Sequence, residues 1–309
     1  MRIVFMGTDE FGIPSIEKLR SDGHVIAGVV TTPPKPKGRG LKVSESPVHI
    51  FAIKNGISHI LTPEKLNEYD FLLKLKNISA DLFVVVAFRI LPTEVFTMPP
   101  KGTINIHASL LPKYRGPAPI QRAIEAGETR TGISIFSIDK GVDTGKIILQ
   151  READIGPKET SPELYRRLSF LGAEALAEAV GQIESGQVSY VVQDEGRAST
   201  APKLLKEEAI VQWQDKANTL FNRIRAFKPF PGTYTLFNGY RLAIEWAEPV
   251  AGVGGAVPGT ICAVSDQWFD VQCGVGALRI LEVKPEGRKQ MSAAAFMNGT
   301  RVCTGMVMG

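Results

Sequence analysis

Residues 1–31 read MRIVFMGTDEFGIPSIEKLRSDGHVIAGVVT. The short apolar, β-branched run at Arg2–Met6 predicts a buried strand, and the small and polar residues after it predict a turn. Glu10–Ser21 then carries apolar residues at helical spacing, and Val25–Thr31 is strand-like again. The alternation continues outward, with strand-like runs at Leu82–Phe88, Gly102–Ala108 and Gly132–Asp139 and a helical pattern at Glu64–Lys76. Such alternation predicts an α/β fold: a largely parallel, Rossmann-like sheet with helices on both faces. Ligands of these sheets gather at the carboxyl ends of the strands, so motifs that follow a strand carry the most information.

A length of 309 residues favours two domains. A helix is predicted from Pro162 to about Glu184: Thr160 or Ser161 can cap it, and Leu164, Leu168, Leu171, Ala175, Ala179 and Ile183 repeat at three-to-four spacing. It closes a first domain, residues 1–190. The stretch after it loses helical periodicity and is rich in small and polar residues, which predicts a linker over residues 191–206. Residues 207–309 begin with a helical segment. Strand-like runs follow around Tyr234–Trp246, Gly259–Val264, Phe269–Cys273 and Ala277–Val283. Several short strands in a small domain predict a β-barrel, with the five-stranded oligonucleotide-binding (OB-like) type as the candidate.

Composition excludes several classes. Apolar residues make up 44% and charged residues 22%, which predicts a packed core rather than disorder. No apolar run approaches the roughly 20 residues of a membrane-spanning helix, so neither membrane insertion nor export is expected, and the expected location is cytoplasmic. Cys262, Cys273 and Cys303 are well separated and lack CxxC spacing or a nearby histidine, which argues against a disulfide framework or a zinc site. A net charge of +4 permits an RNA partner without identifying one.

The chemistry concentrates in Thr103–Ile120, TINIHASLLPKYRGPAPI. Asn105 and His107 sit two apart at the end of an apolar strand, so both side chains project from one face. Acyl transfer needs a donor for the oxyanion and a group that manages the proton of the attacking nucleophile. Asn105 can supply the donor, and His107 either function. Taken alone, such a pair is more often structural. The opening Gly7–Gly12 lacks the full GxGxxG order and any Walker lysine, so a tight turn is the better reading.

With Ser109-Leu110-Leu111-Pro112, Arg115-Gly116 and Pro119 directly after the pair, the segment closely resembles the 10-formyltetrahydrofolate-dependent formyltransferases. The resemblance implies that Asn105 and His107 are catalytic and that Ser109, Leu110, Leu111 and Pro112 line a folate site, beside Phe88. It implies 10-formyltetrahydrofolate as co-substrate and no metal. It also assigns a catalytic aspartate to Asp143, in Asp143-Thr144-Gly145. That aspartate would fix the His107 imidazole, favour its protonated form and hold water for proton transfer. An Asx-turn is the competing use of Asp143, and Asp139 is the second-ranked carboxylate. Where many family members have Ala-Tyr-Gly before Ile-Leu-Pro, this chain has the shorter Ala87-Phe88-Arg89-Ile90-Leu91-Pro92.

That motif leaves the acceptor open between methionyl-tRNA and an amino sugar nucleotide or ribonucleotide amine. Three further features resemble the methionyl-tRNA branch of the family. One is the basic loop PPKPKGRGLK with Arg39 and Lys42, which can approach RNA phosphates. Another is Ala201-Pro202-Lys203-Leu204 with Lys206-Glu207-Glu208 and Asn222–Phe227. The third is the strand-rich C-terminal segment, where 10 Lys/Arg stand against 6 Asp/Glu from Lys216 onward. The resemblance implies initiator methionyl-tRNA as partner, with Arg39, Lys42, Lys203 and Lys206 as contacts, and a monomer is the expectation.

Overall fold

The computed structural model describes residues 1–37 and 42–309, without the side chains of residues 35–37, 42 and 43. The chain opens with β1 (Arg2–Gly7) and β2 (Val25–Val30), followed by an antiparallel hairpin of β3 (Lys35–Lys37) and β4 (Lys42–Ser44). Then come β5 (Ile60–Leu61), β6 (Leu82–Val86), β7 (Thr103–His107), β8 (Arg130–Ser137) and β9 (Ile147–Asp154). Seven of these form one sheet in the order β5-β2-β1-β6-β7-β8-β9. Pairings from β5 to β7 are parallel. Those of β7 with β8 and β8 with β9 are antiparallel. The sheet is thus largely parallel, with an antiparallel margin.

All five residues of β6 and the last five of β1 are buried. Because successive strand residues point to opposite faces, both faces of the sheet are covered. The helices in this part of the chain are α1 (Ile13–Ser21), α2 (Pro47–Lys54), α3 (Tyr69–Asn77), α4 (Thr93–Phe96), α5 (Pro119–Glu125) and α6 (Ser161–Ser185). Gly7–Gly12 forms the expected turn, with the Asp9 carboxylate accepting from the Phe11 N–H at 3.1 Å to cap a short 3₁₀ segment. The helical pattern at Glu64–Lys76 becomes a helix only from Tyr69. Leu66 reaches the core from an irregular segment, where burial has no need of a helix. For α6 the cap is Thr160, whose N–H and hydroxyl both donate to Glu163, at 2.8 and 2.7 Å.

The C-terminal part contains α7 (Ala217–Ala226), β10 (Tyr234–Phe237), β11 (Tyr240–Val250), β12 (Ile261–Val264), β13 (Phe269–Gln272), β14 (Ala277–Pro285), β15 (Met291–Ser292) and α8 (Ala293–Gly299). Its strands pair antiparallel in the order β10-β11-β14-β13-β12, with β15 on β14. The result is a curled half-barrel, bent where β11 carries irregularities between Ile244 and Ala247. Trp213, Leu220, Phe221, Phe269, Ile280 and Phe296 fill its core.

The compact units are not contiguous in sequence. One comprises Met1–Pro119, Arg130–Asp154 and Tyr165–Pro202; the other comprises Ile120–Thr129, Ile155–Leu164 and Lys203–Gly309. Polar links within the second unit explain the interleaving. Arg122 pairs with Glu208 at 2.8 Å, and the buried Arg225 donates to the carbonyls of Gly156 and Glu159, both at 3.1 Å. Residues 191–202, expected as part of a linker, belong to the first unit, where Val191 pairs with Ile147 and Thr200 bridges to Arg115. The three cysteines are free, and no helix among the described residues is long and apolar enough to cross a membrane.

Candidate active site

β7 sets Asn105 against Val85 of β6 and Phe136 of β8, and His107 against Ser134 of β8. Extended geometry turns both side chains to the same face. The buried His107 ring has its Nε2 2.8 Å from the carbonyl oxygen of Tyr114. A carbonyl can only accept, so Nε2 carries the proton and Nδ1 is left to exchange one. Nδ1 faces Asp143 Oδ2 at 3.6 Å, an ion-pair distance rather than a hydrogen bond.

Asp143 occupies the left-handed region at φ 55°, a conformation that costs a non-glycine residue roughly 1–3 kcal/mol and needs surrounding support. Its Oδ2 accepts the N–H of Gly116 at 2.8 Å. Only glycine fits there: φ is 123°, and a Cβ would lie 2.7 Å from the carbonyl oxygen of Ala201. Asp139 is occupied differently. Its Oδ1 accepts from the Gly141 N–H at 2.9 Å and the Thr144 hydroxyl at 2.6 Å, so it braces the turn while Asp143 meets the imidazole.

Burial pushes the His107 imidazole below its ordinary value, against the opposing pulls of Asp143 and the Tyr114 carbonyl. The resemblance implied that Asp143 favours the protonated ring. Its field does act in that direction, but desolvation is the larger effect and favours the neutral ring. Beside it, the Oδ1 of Asn105 is buried and has no hydrogen-bond partner. An unmatched buried acceptor costs about 1–3 kcal/mol, a debt that a ligand N–H can cancel.

The Ser109–Pro112 loop is fixed from below. The Ser134 hydroxyl donates to the Ser109 carbonyl at 2.7 Å and accepts from the Leu111 N–H at 3.0 Å. Gln150 Nε2 reaches the Leu111 carbonyl at 2.9 Å and Ser134 Oγ at 2.8 Å. Ser109 Oγ donates to the Lys113 carbonyl at 2.7 Å, Leu111 is buried and Leu110 half-buried. In the shortened stretch, Ala87 takes φ 48° and Phe88 packs partly buried against the cluster of Val85, Leu91 and Val95. The Arg89 guanidinium lies 5.2 Å from the Phe88 ring and donates to the carbonyls of Pro63 and Glu64 at 2.8 and 2.9 Å.

The structure thus gathers Asn105, His107, Asp143 and the Ser109–Pro112 loop in the first unit. Lys203 and Lys206 are exposed residues of the second. Arg39 lies outside the described residues, and of Lys42 only the backbone is described. Sequence reading missed Ser134, Gln150 and Gln193. Ser134 left a trace, as a hydroxyl between Ile133 and Ile135 in an otherwise apolar strand.

Residues 1–180 match the family model for formyl transferase, and residues 203–301 match that for the formyl transferase C-terminal domain. A methionyl-tRNA formyltransferase of Caldanaerobacter subterraneus subsp. tengcongensis is 42% identical over 310 residues, covering 100% of both chains. Another, of Carboxydothermus hydrogenoformans, is 44% identical over 309 residues, covering 99% of this chain and 98% of its own. This chain belongs to the methionyl-tRNA formyltransferase family. The wider formyltransferase fold extends to WlaRD, a sugar 3N-formyl transferase solved in the presence of dTDP and 5-N-formyl-THF. That likeness has a TM-score of 0.66 at 19% identity and covers 94% of this chain and 99% of that one. Within the methionyl-tRNA formyltransferase family, the Asn-x-His strand end and the Asp-Thr-Gly turn described above are this chain's candidate chemistry.

Proposed function

We propose that the protein, a cytoplasmic monomer, transfers the formyl group of 10-formyltetrahydrofolate to the α-amino group of methionine on initiator tRNA. The observation that carries this reading is the convergence of Asn105, His107 and Asp143 at the end of β7, with Asn105 presenting an unmatched buried oxygen. The relatives' names support the acceptor. The folate supplies an activated formyl carbon, held over the Ser109–Pro112 loop.

Attack on that carbon places negative charge on the formyl oxygen, and the Asn105 amide N–H is the donor for it. Asn105 Oδ1 accepts from the incoming amine and orients its lone pair. As the new C–N bond forms, the amine's surplus proton passes to Nδ1 of the neutral His107, and the Asp143 carboxylate stabilises the resulting imidazolium. The proton is then returned to the departing folate nitrogen as the old C–N bond breaks, so charge and protons balance. An α-amino group titrates near about 7.7–8.0, so the nucleophile is readily available as the free amine. Arg39, Lys42, Lys203 and Lys206 are assigned to the RNA.

The test is an acid-gel assay with 10-formyltetrahydrofolate and charged initiator tRNA, with elongator methionyl-tRNA as control. Formylation of the initiator species is expected. Formylation of an amino sugar nucleotide or ribonucleotide amine, and of neither tRNA, would overturn the assignment.

A further inference from the structure

Residues 193–201, which composition reads as part of a linker, are hydrogen-bonded to both halves of the catalytic pair's support. On one side they hold the loop that touches His107 and Asp143. Ser199 accepts the Tyr114 N–H on its hydroxyl at 2.9 Å and the Arg115 N–H on its carbonyl at 2.8 Å. The Ala201 N–H donates to the Arg115 carbonyl at 2.6 Å. On the other side Gln193, buried to 6% exposure, donates from Nε2 to the carbonyl of Asp143 at 2.8 Å and to that of Gly145 at 2.7 Å. Its Oε1 is itself fixed by Arg115, at 3.1 Å from Nε and 2.8 Å from Nη2. Arg115 also pairs with Glu195 at 2.6 Å.

We propose that Gln193 is a positioning residue for the reaction, clamping the Asp143-Thr144-Gly145 turn so that the Asp143 carboxylate stays opposite His107 Nδ1. The amide is suited to this in a way that other side chains are not. Its two N–H groups satisfy the carbonyl of Asp143, itself in the left-handed region, and that of Gly145 two residues on, and its oxygen accepts from the arginine on the opposite loop. Arg115 therefore links the clamp to the backbone that delivers the Tyr114 carbonyl to His107 and the Gly116 N–H to Asp143. With the clamp removed, the turn is free to relieve its strain, and the carboxylate moves away from the ring it supports.

The inference rests on the proposed reaction for its kinetic arm but has a readout that does not. Wild type, Gln193→Ala and Gln193→Leu are compared; the leucine fills the space and loses both donors without adding a charge. NMR titration of the His107 ring, assigned with His107→Asn, is expected to show its pKa falling further in both variants, because the nearby negative charge has withdrawn. In the formylation assay kcat is expected to fall about 10- to 100-fold with little change in the KM for folate. The same substitutions made on an Asp143→Asn background are expected to add little, since Gln193 acts through that carboxylate. An unchanged His107 titration in a folded Gln193→Leu protein, or losses that multiply fully on the Asp143→Asn background, would overturn the proposal. If Gln193→Ala does not fold, Gln193→Leu decides. Absence of formylation by the wild type removes the proposed function and leaves the titration to judge the clamp.

Discussion

At the residue scale, the two aspartates of the Asp139–Gly145 turn make opposite predictions. Asp143 faces the imidazole at 3.6 Å, whereas Asp139 accepts from Gly141 and Thr144 within its own turn. Asp143→Asn should lower kcat by about 100- to 10,000-fold, the range for disabling acid–base machinery. Asp139→Asn keeps an acceptor oxygen and should cost less than about 10-fold in the same assay; equal losses would contradict the assignment. His107 makes a pH prediction. Burial lowers its folded-state value, so the unfolded chain takes up a proton near about 6.5 while the folded chain still resists. The stability is complete above the unfolded value and is lost as pH falls from there through the lowered folded value. In urea titrations the midpoint should therefore drop more steeply between pH 7 and lower pH for wild type than for His107→Gln. Parallel curves would show that the ring is not held neutral.

At the scale of elements, the candidate site at the end of β7 depends on its antiparallel neighbour. Ser134 of β8 makes three hydrogen bonds under the Ser109–Pro112 loop and is fully buried. Ser134→Ala strands the Leu111 N–H, which should cost about 1–3 kcal/mol in urea unfolding and raise the KM for folate more than it lowers kcat. Unchanged stability and KM would mean that the loop is held by other contacts. This support was hard to read from sequence for a physical reason. The buried parallel strands β1, β2 and β6 announce themselves as apolar runs, and α6 as a repeat with a cap. β9 lies at the margin of the sheet, and its Gln150-Arg151-Glu152 hides the strand that supplies Gln150. Asn105, His107 and Asp143 could be named as candidates through the motifs around them, and His107 and Asp143 do lie together. Gln193 was not, because nothing in a small and polar stretch foretells that it will fold against a turn 50 residues earlier.

For the whole molecule, the same logic explains why the domain division was only partly visible. Hydrophobic pattern marks a parallel sheet and a curled antiparallel one, but the placing of residues 120–129 and 155–164 with the second unit depends on polar links such as Arg122 to Glu208 and Arg225 to two carbonyls. RNA binding belongs to this scale as well. Exposed Lys206 should contribute through phosphate contact, so Lys206→Ala should weaken tRNA binding and reduce the slope of log K against log salt by about 1. An unchanged slope would remove Lys206 from the interface. The central claim is that one amide and one buried imidazole act together on a single formyl carbon, and turnover of initiator methionyl-tRNA by purified Asn105→Ala tests it most directly. The account predicts a fall of at least about 100-fold in a protein whose fold is intact; turnover equal to wild type would contradict it.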